Sequence, residues 1–402
     1  MSLFSSFDLL PTLYSTLVEK GFVTPTEIQQ RALPALLAGK SVVGVSETGS
    51  GKTLAFGLPL LHMLKVLEND GNAISVDSQP RAAIIVPTRE LGEQVSRVLK
   101  PFTHTTRLRV RTLLGGTTTD VAKRNVKGPF EILVATPGRL VKFVDRGLLS
   151  LSDVRILVFD EADQMLDQGF LSDATRIAHE CAPHCQLGLF SATVSTSIQN
   201  LMSQLFSKAE VIRSAGSHRI VSTLTTLNRK VVDGQRFPVL EKILADPSPG
   251  GTLIFANTRD QCDKLTGLLR DQCDKLTGLL RDQCDKLTGL LRDQCDKLAG
   301  LLRDHGHKCL LYRGEMDKVE RRANLKSFRD GKIDLLVSTD LASRGLDVDH
   351  VDRVINYHLP RELENYLHRV GRTARAGRSG LVVNLVTERD AELIGRLEKI
   401  KK

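Results

Sequence analysis

The chain has 402 residues, 41% of them hydrophobic and 26% charged, a balance that excludes bulk disorder and suits two α/β domains of roughly 200 residues each. A formal charge of +9 favours a polyanionic partner such as nucleic acid. No stretch approaches the roughly 20 apolar residues of a membrane span, and the opening MSLFSSFDLL has no basic, then apolar, leader pattern, so no membrane partner and a cytoplasmic location are expected.

Short β-branched runs alternate with helix-like stretches along the first half: VVGV at 42–45, AAIIV at 82–86, EILVA at 131–135 and RILVF at 155–159. That alternation predicts a mostly parallel sheet flanked by helices. The small, polar segment IRSAGS at 212–217 reads as a linker between a first domain, 1–211, and a second, 218–402. The pattern then restarts with TLIFA at 252–256, IDLLVS at 333–338, VDRVIN at 351–356 and LVVNLV at 381–386. The fold class is therefore α/β, with two tandem units.

Inside the second unit, residues 260–303 are four copies of an 11-residue segment, DQCDKLTGLLR three times and DQCDKLAGLLR once. Leu265, Leu269, Cys273, Leu276 and Leu280 recur at three- and four-residue steps, which predicts a long helical insertion with a continuous apolar stripe. One copy is enough to connect LIFA to the next strand, so the surplus predicts self-association through the stripe or an inert duplication. Four of the seven cysteines belong to these copies, so they do not read as a disulfide framework.

Three segments carry chemistry. Ser46-Glu47-Thr48-Gly49-Ser50-Gly51-Lys52-Thr53 follows VVGV and opens a helical stretch, the setting of a phosphate-binding loop. Gly49 and Gly51 let backbone N–H groups approach phosphate oxygens, Lys52 meets the β- and γ-phosphates, and Thr53 can hold Mg²⁺. Ser46 stands where the general pattern has Gly. Asp160-Glu161-Ala162-Asp163 closes the strand RILVF; Asp160 suits the metal and Glu161 an attacking water. In the second half, HRVGRTARAGR at 368–378 places Arg372 and Arg375 one helical step apart, where both could neutralise a γ-phosphate.

These segments, in this order, resemble the DEAD-box RNA helicases from about Phe4 to about Val386. Gly21-Phe22, Pro25-Thr26 and Ile28-Gln29 resemble the family's adenine-reading motif, which implies that Phe22 stacks on the base and Gln29 pairs with its edge. Pro87-Thr88-Arg89-Glu90-Leu91, Gly115-Gly116 and Thr136-Pro137-Gly138-Arg139 match its RNA-backbone contacts. Ser191-Ala192-Thr193 matches the motif that couples hydrolysis to RNA, as does His368. In the second half the resemblance places Gly314, Arg321 and Thr339 near RNA, Gly345 and Asp347 near the nucleotide, and Arg372 and Arg375 at the γ-phosphate. The chain departs from the family at Lys318, where Gln is usual, at Arg313, where His is frequent, and at His358, where Asp is frequent.

The resemblance implies two RecA-like domains that use ATP and Mg²⁺ to grip and bend single-stranded or short duplex RNA. Local unwinding is the expected outcome, and an ATP-gated RNA clamp is the alternative. With no Trp and 4% aromatic residues, base-stacking platforms are scarce and RNA is expected to be held mainly by its backbone.

Overall fold

Every strand at the centre of the first sheet is apolar on both faces, which only a sheet covered on both sides tolerates. In the computed structural model, which describes residues 3–47, 49–214, 223–256, 296–313, 316–339, 348, 350–374 and 378–401, the chain divides into two compact units, Met1–His218 and Arg219–Lys402. The first contains β1 (Val42–Val45), β2 (Ala82–Ile85), β3 (Val110–Leu113), β4 (Ile132–Ala135), β5 (Ile156–Phe159), β6 (Gln186–Ser191) and β7 (Glu210–Arg213). The strands are parallel throughout and lie in the order β3-β4-β2-β5-β6-β1-β7. Alternate side chains enter separate cores: Val42, Ile84, Ile132 and Val158 on one face, Val43, Ile85, Leu133 and Leu157 on the other.

The second unit repeats the plan with β8 (Leu224–Lys230), β9 (Gly251–Phe255), β10 (Cys309–Tyr312), β11 (Leu335–Ser338), β12 (Val351–Asn356) and β13 (Gly380–Val386), ordered β10-β11-β9-β12-β13-β8. Its strands are also parallel, and helices cover both faces through two cores.

The linker begins later than expected. Ile212 and Arg213 belong to β7, which pairs with β1, and Ile212 is buried in the first core. A four-residue edge strand of mixed polarity carries no alternation long enough to be read from sequence. Residues 215–217 of the expected linker lie outside the described residues.

Most of the repeat, residues 260–295, also lies outside them, so the expected long helical insertion is not among the elements described. The last copy is informative. Residues 296–304 form a helix that returns the chain toward β10, and Leu298, Ala299 and Leu302 are buried against Leu240, Ile254 and Val337. Asp296 pairs with Arg313 at 3.0 Å, and the Cys309 thiol donates to the Ala299 carbonyl at 3.5 Å. Ala299 is fully buried, and it is the position at which the other three copies have Thr. The fourth copy is thus the one whose sequence fits the core. Deleting residues 260–292 is expected to leave the melting temperature of the second unit unchanged or higher. By contrast, Ala299→Thr should cost about 1–3 kcal/mol by overpacking and by burying a hydroxyl. A neutral Ala299→Thr in urea titrations would remove the distinction between copies.

Candidate active site

The C-terminal ends of parallel strands are where an α/β sheet presents its loops to a ligand. In the first unit those ends carry two groups of sequence-predicted residues. Around β1, β5 and β6 stand the phosphate loop, Asp160-Glu161 and Ser191-Ala192-Thr193; around β2, β3 and β4 stand Pro87-Thr88-Arg89, Gly115-Gly116 and Thr136–Arg139.

The phosphate loop leads from β1 into the helix Lys52–Asn69. Gly49 and Gly51 have φ of 84° and 88°, left-handed values that a side chain would strain. Gly51 is further constrained because a Cβ there would meet Gln29 Nε2 at 2.5 Å. Lys52 is buried, and its ammonium donates to the carbonyls of Ser46 at 2.7 Å and Glu47 at 2.8 Å. Ser46, at the position where Gly is general, is fully buried and shares a hydrogen bond with Ser50 Oγ at 2.8 Å, so its hydroxyl braces the loop. Thr48 lies outside the described residues.

Gln29 is placed otherwise than the resemblance implied. Its Oε1 accepts the Thr26 N–H at 2.8 Å and its Nε2 donates to the Gly51 carbonyl at 3.0 Å. The amide therefore caps the helix Glu27–Leu37 and ties it to the phosphate loop; to read an adenine edge it must exchange these partners. Phe22 is 44% exposed at the surface.

Asp160 ends β5, buried at 3% exposure, with its carboxylate accepting the Glu161 N–H at 3.0 Å. Burial pushes its carboxyl up to about 7, the Glu161 charge adds to this, and Lys52 opposes it. A buried carboxylate beside a second acid is a setting that a divalent cation stabilises, so the residues fit Mg²⁺. Glu161 holds φ 48° in the left-handed region, an uncommon conformation for a residue with a side chain.

Asp163 has a role that the sequence did not disclose. Its buried Oδ2 accepts from Ala192 N at 3.0 Å, Thr193 N at 3.0 Å and Thr193 Oγ1 at 3.2 Å. Ser191 Oγ donates to the Thr193 carbonyl at 2.8 Å, closing the turn. The acidic segment after β5 and the Ser-Ala-Thr segment after β6 are thus one hydrogen-bonded body. The only sequence signal was a fourth small-or-acidic residue in a short run.

On the other half of the sheet, Thr88 caps the helix Arg89–Thr106 by accepting the Leu91 N–H. Arg89 reaches the Gly115 carbonyl at 3.4 Å, and Gly115 N donates to Thr136 Oγ1 at 3.1 Å. Arg139, in the helix Pro137–Asp145, donates to the carbonyls of Thr117 and Thr118 at 3.0 and 3.2 Å. Gly116 has φ 83°. Three segments far apart in sequence thereby form one polar ledge.

In the second unit Arg321 lies over the Tyr312 ring at 5.8 Å, and Thr339 is buried just past β11. Arg372 does not continue a helix as the spacing suggested. The helix Leu363–Val370 stops before Gly371, and buried Arg372 turns back so that its Nε donates to the His368 carbonyl at 3.1 Å. Gly314, Gly345, Asp347 and Arg375 lie outside the described residues.

From β8 across β13 and β12 to the helix Leu363–Val370 runs an unforeseen polar row. Asn384 Nδ2 donates to Asn228 Oδ1 at 2.8 Å, Asn356 Nδ2 donates to Asn384 Oδ1 at 2.8 Å, and Arg369 Nη1 donates to Asn356 Oδ1 at 3.0 Å. Arg369 is 1% exposed and stacks over Phe255 at 4.9 Å. It also donates to the backbone carbonyl of His358, so its bond there does not depend on which side chain stands at 358. Burial lowers the His358 imidazole to about 4; Arg236 and Arg369 add repulsion and Asp390 opposes it. A depressed pKa means the neutral ring supports the fold fully above about 6.5, and this support is lost as pH falls toward 4. The loss should reach at most about 3 kcal/mol, and His358→Asn should flatten that part of the stability curve in urea titrations between pH 7 and 4. An unchanged curve would contradict the assignment.

The DEAD/DEAH box helicase family matches residues 26–201 and the helicase conserved C-terminal domain matches 290–377. ATP-dependent RNA helicase CshA of Listeria monocytogenes is 32% identical over 402 residues, 100% of this chain and 69% of that protein. This chain belongs to the DEAD-box helicase family. ATP-dependent RNA helicase RhlB of Actinobacillus succinogenes is also 32% identical, over 98% of the chain and 87% of that protein. Among solved structures, S. cerevisiae Dbp5 bound to RNA and ADP BeF3 matches with TM-score 0.79 and 25% identity, covering 99% of this chain and 93% of that one. A DEAD box protein from the hyperthermophile Methanococcus jannaschii matches with TM-score 0.51 and 29% identity, covering 100% and 97%. Both units are therefore the RecA-like halves of the DEAD-box architecture. No described helix is long and apolar enough to cross a membrane.

Proposed function

We propose that the chain is an RNA-stimulated ATPase that separates short RNA duplexes or remodels RNA–protein complexes by bending one bound strand. The observation that carries this reading is the first unit's shared rim. Nucleotide-type residues cluster over β1, β5 and β6, backbone-type RNA residues over β2, β3 and β4, and the Asp163–Thr193 clasp lies within the nucleotide group. Family membership supports it, as do the relatives named RNA helicases.

In this reading Lys52 and the phosphate-loop amides hold the β- and γ-phosphates, and Glu161 orients the attacking water. Asp160 and Thr53 hold Mg²⁺, which supplies charge neutralisation at the phosphates. Arg372 and Arg375 add positive charge to the transferred phosphoryl group. Ser191, Thr193 and His368 link that event to RNA. Self-association through the repeat is a further proposal, read by sedimentation of the intact chain against one lacking residues 260–292.

ATP turnover with and without RNA, run beside displacement of a short duplex, tests the reading. RNA should stimulate turnover, and ATP should release the strand. Turnover indifferent to RNA would overturn the proposal; stimulation without strand release would replace unwinding by an ATP-gated clamp.

A further inference from the structure

The chain's excess of positive charge is concentrated. Residues 97–127 carry eight Lys and Arg against one Asp, a net +7 within a chain whose total is +9. This segment contains edge strand β3 and the helix Thr119–Asn125 packed beside it. Ala122 and Val126 anchor that helix by burying into the same core as Leu113 of β3. Lys123, Arg124 and Lys127 are left exposed, as is Arg111 on the strand. Arg109 is already neutralised by Glu131, with Nη2 to Oε1 at 2.6 Å and Nε to Oε2 at 3.2 Å. Arg111, Lys123, Arg124 and Lys127 make no ion pair among the described residues.

The strip also has a position. The helix starts at Thr118, whose carbonyl, with that of Thr117, is held by Arg139. Its N-terminal end therefore joins the polar ledge of Arg89, Gly115 and Thr136, and the helix packs against β3. The helix Thr119–Asn125 is about 10 Å long at helical rise, the distance spanned by roughly three phosphates along one strand of a duplex.

We infer that this flank is a second RNA-backbone surface, continuous with the ledge, that holds the part of an RNA extending beyond the residues already assigned to RNA. The inference rests on the reading of the chain as an RNA-dependent ATPase. Four unpaired cations in a row are a weak basis for sequence readout and a strong one for phosphate contact, so the surface grips without choosing bases. It gives the first unit a means of keeping the flanking duplex while a short segment is bent.

The test uses the full chain, a variant with Lys123→Gln, Arg124→Gln and Lys127→Gln together, and a second with Arg111→Gln. Each is titrated with a six-nucleotide single strand and with the same strand extended by a hairpin at either end. The triple variant should bind one extended RNA roughly tenfold or more weakly, and its slope of log affinity against log salt should fall by about 2–3. Affinity for the six-mer, and ATPase stimulated by it, should stay within about twofold, which also shows that the variant is folded. Arg111→Gln should reproduce part of the loss. Unchanged affinity for both extended RNAs overturns the inference and leaves the strip to an acidic protein surface. Equal loss on the six-mer overturns it too, because the strip would then belong to the core path. If the intact chain shows no RNA-stimulated ATPase at all, the broader functional reading fails with it; stimulation with no effect of the variants sinks only the flank.

Discussion

Lys52→Ala and Glu161→Gln should each reduce ATP turnover by at least about a hundredfold, but they should differ in nucleotide binding. The Lys52 ammonium already sits within the phosphate loop, held by the carbonyls of Ser46 and Glu47. On the proposed function, removing it would take away a contact to phosphate together with the brace on the loop, so affinity should fall with turnover. Glu161 lies one residue beyond the metal-type carboxylate, in a left-handed conformation that fixes where its side chain starts. Glu161→Gln keeps that backbone and Asp160 intact, so nucleotide should still bind while water activation is lost. Calorimetric titration with ATP beside steady-state turnover reads both properties. Near-normal turnover in either variant would refute the assignment.

Arg369→Ala should destabilise the second unit by about 3–5 kcal/mol, since it strips a buried guanidinium from Asn356 and leaves its partners in a dry interior. That is a large share of the 5–15 kcal/mol typical of a whole domain. Asn384→Leu interrupts the same row and should cost about 1–3 kcal/mol for each amide left unpaired. Hydrogen exchange at the β12 and β13 amides should quicken in both variants while β1 and β5 are spared. Unchanged exchange in the second sheet would show that the row contributes nothing to stability. Because Arg369 adjoins His368 and Arg372, a loss of turnover in this variant follows from local unfolding and should track the exchange data.

The parts of the molecule legible in the sequence are those where one physical demand fixes several neighbouring residues. Strands such as Val42–Val45 and Ile132–Ala135 were readable because burial on two faces demands an unbroken apolar run. The phosphate loop was readable because close approach to phosphate demands glycine at fixed places. Edge strands were not: β3 is interrupted by Arg111, β7 has Glu210 and Arg213 at its ends, and β8 is polar, so none presents a recognisable period. Contacts between distant segments were equally hidden. Nothing in the run from Asp160 to Asp163 announces that its last carboxylate will hold the turn at Thr193, and nothing near Gln29 reveals its bond to Gly51. The helix from 296 to 304 was foreseen as one sufficient crossover. Only the packed core shows why the Ala-bearing copy fills it.

The buried asparagines have a bearing on how the second unit tolerates its repeat. Asn228, Asn384 and Asn356 are direct neighbours in the register of β8, β13 and β12. A slip of one residue between any two of these strands would turn an amide to the opposite face and strand its partner in an apolar core. Their hydrogen bonds therefore act as a key that admits a single alignment, in the way a lone polar residue fixes the register of a coiled coil. Alignment set by side chains within the strands does not depend on the lengths of the connections. Lengthening the segment between β9 and β10 by three copies adds loop-closure entropy of only about 1 kcal/mol, and it offers the sheet no competing way to assemble. Tolerance of duplication in this chain is, on this view, a property of its interior.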